Sequence, residues 1–249
     1  MKVFCSYNEK FHVFLNKVVE IVLEKYGIQL NLETLEEIEL VDKNEYEYIT
    51  DGRVIDCHKI IVTSRLYELL PSFRIEELNN NTNFKELKQT LYHEMGHIND
   101  MILMPVLYKY GFREDDSRER IVSQFWLEYI AERRSAGFED IENFDLCNNF
   151  IKQSWKCTMC SFDSNFDSFN FAYLIKCLPY FMAATRENKV RNYYLKQIKN
   201  ELLINFMNAL DEEIVKLESK KLFDNVVELY DLYNIMNRFY KKFMATFRD

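Results

Sequence analysis

The sequence predicts an α+β fold, with a mixed N-terminal part over residues 1–140 and a helical C-terminal region over 141–249 packed on it. Three observations lead there. Residues 10–26 and 84–103 repeat apolar side chains at helical spacing. Between them, residues 37–64 are rich in Ile, Val, Tyr and Thr, as strands are. From about residue 168 to the end, amphipathic helical patterns follow one another. A chain that is 48% hydrophobic with five glycines and three prolines suits packed helices and excludes a collagen-like or disordered class.

In the first helix, Phe11, Phe14, Leu15, Val18, Val19 and Val22 share a face, and Gly27 is its expected stop. The segments "EIELVD", "YEYITDG" and "VIDCHKIIVTS" read as strands of a small, mainly antiparallel sheet, with a turn at Asp51-Gly52. "RLYELLPSF" reads as a short helix ended near Pro71, and "NNNTN" (79–83) as a polar loop. Asn83 then stands as N-cap of a helix over 84–103, with Glu86 as its capping-box partner and Pro105 beyond as a stop. Leu87, Leu91, Met95, Ile98 and Ile102 form its apolar stripe, leaving another face to its polar residues. A charged connector leads to a helix over 117–136, residues 141–165 are ambiguous, and helices are expected over 168–186, 190–218 and 222–246.

Lys and Arg number 32 against 40 Asp and Glu, a net charge of −8 that repels phosphate backbones and argues against a nucleic-acid partner. No apolar run approaches the ~18 residues of a membrane span, and the opening stretch does not resemble a signal peptide. Six cysteines without a secretion signal read as reduced thiols. The expectation is a cytoplasmic protein with no membrane partner.

The helix over 84–103 carries "HEMGH", which holds two of the chain's four histidines. Residues four apart on a helix point the same way, with β-carbons about 5–6 Å apart. His93 and His97 can therefore converge on one zinc ion, at about 2.0–2.1 Å from each nitrogen. Glu94 is rotated by about 100° from His93, so it is placed to take a proton from a water on the open side of the ion rather than to ligate it. Zinc lowers the pKa of such a water toward about 7.

Catalytic zinc takes a third protein ligand. A histidine continuation is missing, since Leu103 stands where it would fall, and His12 and His58 lie far upstream. An acidic ligand is expected instead. Asp100 is one turn past His97 but has a short side chain, so Glu128 on the next long helix is the better candidate. Glu132, one turn further on the same face, is placed to accept the other ring N–H of a ligating histidine.

"HEMGH" followed by "ExxAExxS" (Glu128, Ala131, Glu132, Ser135) resembles the gluzincin metallopeptidases. Their second motif usually has Asp or Asn where this chain has Glu132. Gly96 before the second histidine resembles the minigluzincins and the ImmA/IrrE-like peptidases. The resemblance covers roughly residues 10–136. It implies a zincin-like core in which a helix and a small sheet precede the active-site helix. It also implies that "HKIIVTS" (58–64) is an edge strand that pairs with extended peptide substrate.

A transition-state stabiliser must donate a hydrogen bond to the oxyanion. Tyr92, Tyr129, Arg133 and the C-terminal tyrosines all qualify by type. Cys157 and Cys160 have the spacing of half a structural zinc site, but a second such pair is missing and they read as thiols. The aromatic C-terminal helices read as packing core, and Arg238, Lys241, Lys242 and Arg248 as a solvated helix end.

The expected function is a zinc metallopeptidase acting on a protein or peptide substrate. His93, His97 and Glu128 would hold one Zn2+, Glu94 would be the catalytic base, and no other cofactor is implied. The alternative is a non-catalytic, zinc-stabilised regulatory or partner-binding protein. Sequence leaves the oligomeric state open.

Overall fold

The fold begins with a strand that periodicity does not predict. β1 (Lys2–Cys5) runs parallel to β2 (Glu37–Val41), and α1 (Glu9–Tyr26) is the kind of crossover that parallel neighbours require. Asn8 caps α1, its side chain accepting from Lys10 N at 3.0 Å. The predicted stripe from Phe11 to Val22 is buried. The structure is a computed structural model, and it describes residues 1–5, 8–44, 51–113, 115–136, 168–186, 188–196, 201–220 and 222–245. Cys157 and Cys160 lie outside these residues, as does the stretch read as ambiguous.

The described chain is α+β, mostly helical, with one four-stranded sheet in the order β1-β2-β4-β3. The sheet is mixed rather than mainly antiparallel. β1–β2 and β2–β4 (Lys59–Thr63) are parallel, and only β3 (Gly52–Ile55) runs antiparallel to β4. The β3–β4 turn also differs from expectation. It falls at Asp56 and Cys57, both in the left-handed region at φ 52° and 59°. Asp51-Gly52 instead opens β3, with the Asp51 carbonyl already accepting from Thr63 N at 3.0 Å.

β4 is not the edge strand that the resemblance implies. It is paired on both sides, and among the described residues β1 and β3 are the edges. The reason is legible in its burial, because Ile60, Ile61 and Val62 are all buried, and a continuous apolar run belongs inside a sheet. β2 alternates instead, with Ile38 and Leu40 inward, while Glu37 and Glu39 on its other face both reach Lys59, at 2.7 and 2.5 Å.

Two short helices, α2 (Ser64–Glu68) and α3 (Ile75–Leu78), lead to α4 (Thr82–Leu103). Asn81, not Asn83, holds its N-terminus: Asn81 Oδ1 accepts from Phe84 N at 3.1 Å. Asn83 is turned away and donates to the Leu69 carbonyl at 3.2 Å. Phe84 meets Phe14 of α1 with ring centroids 5.8 Å apart, so α4 packs on the crossover helix. Every residue from Leu91 to Met101 is buried. The polar face of α4 is therefore interior, a correction to the single-stripe reading.

α5 (Pro105–Gly111) starts with proline at a position where its missing N–H costs nothing. α6 (Arg118–Ala136) follows, and then α7 (Ser168–Ala184), α8 (Asn188–Leu195), α9 (Glu201–Glu218) and α10 (Tyr230–Ala245). The region read as one helix over 190–218 holds two helices, α8 and α9, and α10 is preceded by a 3-10 turn at Val226–Leu229. Contacts sort the chain into two compact units. Met1–Ile102 groups with the end of α6 from Arg134, and Leu103–Arg133 groups with α7 to α10. The second unit has its own core, in which Phe206 of α9 stacks on Phe239 of α10 at 4.1 Å and Trp126 of α6 stacks on Tyr129 at 5.4 Å. Among the described residues, no helix is long and apolar enough to cross a membrane.

Candidate metal centre

The two histidines sit in the buried middle of α4, His93 at 7% and His97 at 5% exposure. Their Nε2 atoms are 3.1 Å apart and the rings stand at 83° to each other. A tetrahedral ion bonded at about 2.0–2.1 Å holds two nitrogens about 3.3 Å apart. The spacing thus fits one ion accepting from both rings.

Among the described residues, His93, His97 and Glu128 form a group of possible ligands. One ring nitrogen from each histidine and one Glu128 carboxylate oxygen all lie within 4.8 Å of one another. Two imidazoles and one carboxylate are a donor set that a zinc ion can take. His12 and His58 are elsewhere: His12 Nε2 is 3.3 Å from Asn16 Nδ2, and His58 Nδ1 is 3.0 Å from the Thr34 carbonyl.

Glu94 is buried at 8% exposure, against the start of β3. A Cβ at Gly52 would come within 2.8 Å of Glu94 Cγ and 2.9 Å of Thr90 Cγ2. Only glycine lets the strand pass this close, and nothing in the local sequence announces it. Asp51, just before it, is gripped by Arg65, whose Nε and Nη2 donate to the two carboxylate oxygens at 2.6 Å each. Glu86 lies two turns before Glu94 on α4. Burial and the neighbouring Asp51 charge raise its pKa, with Arg65 acting the other way.

Glu132 is buried at 3% exposure on α6, four residues past Glu128. Asp100 is not in the ligand group. It is fully buried, and Arg134 grips it through both carboxylate oxygens, Nη1 to Oδ2 at 2.9 Å and Nη2 to Oδ1 at 2.5 Å.

Of the oxyanion donors that sequence left open, Tyr129 donates to Glu218 Oε1 at 2.6 Å. Burial and that carboxylate push its pKa far up. Arg133 Nε lies 4.0 Å from the same carboxylate. Tyr180 of α7 donates to Glu128 Oε2 at 2.5 Å. It belongs to the C-terminal tyrosines considered above, and Pro179 beside it, inside a helix, is the one local oddity that marks the place. No protein-family model matches the chain, and neither a curated protein nor a solved structure matches it.

Proposed function

We propose that this protein is a single-zinc metallopeptidase of gluzincin type, with a zincin-like arrangement of its sheet and active-site helix. The convergence of His93, His97 and Glu128 carries the reading. Residues on two helices, far apart in sequence, bring together the donor set that zinc hydrolases use. The motif resemblance in "HEMGH" and "ExxAE" supports it.

His93, His97 and Glu128 would hold the ion. When bound, zinc would supply Lewis acidity, polarising the scissile carbonyl and easing deprotonation of the attacking water. Glu94 takes that proton as the water oxygen bonds to the carbonyl carbon. It then delivers the proton to the amine nitrogen as the C–N bond breaks. The Tyr180 hydroxyl, now turned to Glu128, is the donor for the oxyanion that forms in between. Glu132 orients a histidine through its other ring nitrogen. The substrate is a protein or peptide in extended form. Its strand partner is β3, because β4 has no open side.

Glu94→Gln keeps the shape of the side chain and removes the base. The variant is expected to bind zinc as the wild type does and to hydrolyse peptide bonds slower by several orders of magnitude. Cleavage of a denatured protein at the wild-type rate by that variant would overturn the catalytic reading. Stoichiometric zinc with no cleavage by either protein would favour a zinc-stabilised regulatory protein.

A further inference from the structure

The pair formed by buried Asp100 and half-buried Arg134 has no part in the chemistry above. Asp100 lies one turn past His97 on α4, and its side chain is 0% exposed. Arg134 lies near the end of α6, the helix that carries Glu128. Its guanidinium is two-pronged on the carboxylate, and Nη1 also reaches the Gly96 carbonyl at 3.4 Å. The carboxylate is held from its own side as well: Asn99 Nδ2 donates to Asp100 Oδ1 at 3.1 Å, and Asn99 Oδ1 accepts from Asn31 N at 2.8 Å.

A fork of this kind fixes direction as well as distance, because both N–H bonds must lie in the carboxylate plane. Apolar burial does neither, being non-directional. The distinction matters for α6, whose buried side chains do not form one stripe. Val122, Phe125, Trp126 and Tyr129 share a face, but Leu127 and Ala131 are buried on another, at about 100° per residue. Such a helix can rotate or slide and still bury apolar surface. A slide of one turn, about 5.4 Å, would carry Glu128 out of bonding range of any ion held by the histidines.

We infer that Asp100 and Arg134 are positioning residues for the metal centre, setting the rotation and rise of α6 so that Glu128 completes the ligand set. The inference rests on the proposed zinc reading. It explains why the buried aspartate of "HEMGHIND" is paired with the second arginine of "AERRSA" although neither belongs to the ligand group.

The test is zinc affinity of the full chain, measured by competition with a chromophoric chelator, and the visible spectrum of the cobalt-loaded protein. Asp100→Leu/Arg134→Met removes both charges together, so no buried charge is orphaned and the fold is expected to survive. Its zinc affinity should fall about 10- to 100-fold, and its cobalt bands should lose intensity or shift. Arg134→Lys keeps the charge without the fork and should fall in between. Wild-type affinity and spectrum in the folded double variant, or in Arg134→Lys should the double variant not fold, would overturn the inference while leaving the zinc reading intact. A wild-type chain that binds neither metal would overturn both.

Discussion

The Tyr180 hydroxyl donates to Glu128 Oε2 at 2.5 Å, so a helix outside the motif-bearing region presses a phenol onto a candidate metal ligand. In the proposed reaction that phenol leaves the carboxylate for the oxyanion. Tyr180→Phe removes the donor and little else. Peptidase kcat should drop about 10²-fold, as loss of one oxyanion donor does elsewhere. Zinc content, measured in parallel, should stay at the wild-type value. Wild-type kcat in the variant would assign the oxyanion to another group.

Gly52 is the point where β3 meets Glu94. A methyl group there collides with the Glu94 side chain at 2.8 and 3.0 Å and with Thr90 Cγ2 at 2.9 Å. Side chains give way before backbone, so Gly52→Ala should cost only about 1–3 kcal/mol of stability. Catalysis should suffer more, because a base moved by about 1 Å can lose about 10²-fold in rate. The measurement is kcat/KM beside a thermal melt. A variant that melts early but turns over normally would show that Glu94 does not need its present position.

Glu86 makes a pH-dependent prediction. Burial, helped by Asp51, raises its carboxyl pKa above the unfolded value. A group raised in this way contributes stability that is fully present below the unfolded pKa and is lost as pH rises through the folded one. At neutral pH the wild type therefore holds a partly buried carboxylate at a cost that glutamine avoids. Glu86→Gln should melt above wild type at pH 7, and the difference should vanish as pH falls below about 4. A difference that is constant with pH would contradict the cause assigned here.

The histidine pair is legible in the sequence because it depends on local spacing. Helix periodicity brings His93 and His97 together, whereas Glu128 lies on the next long helix and its meeting with them is not set by local spacing. What the sequence hides is non-local. β1 is four residues long, and its partners Glu37–Leu40 lie across a whole helix, so no local pattern identifies it. The Asp51-Gly52 pair imitates a hairpin turn. Its glycine is needed instead for close approach to Glu94, and the real turn falls on Asp56 and Cys57, which few rules would select. Asn83 looks the better cap because Glu86 follows at capping-box distance. Glu86 is instead committed to the Asp51–Arg65 neighbourhood, and Asn81 takes the cap. Five apolar residues define a stripe on α4, but they say nothing of what covers its other face, which is buried too.

The central claim is that His93, His97 and Glu128 hold one zinc ion, and metal content tests it most directly. The protein is purified without a histidine tag, dialysed against zinc, freed of excess metal and assayed by elemental mass spectrometry. One zinc per chain is expected for the wild type, none for His93→Ala/His97→Ala, and weakened retention for Glu128→Ala. A folded wild-type chain that retains no zinc, or a double histidine variant that retains a full equivalent, would contradict it.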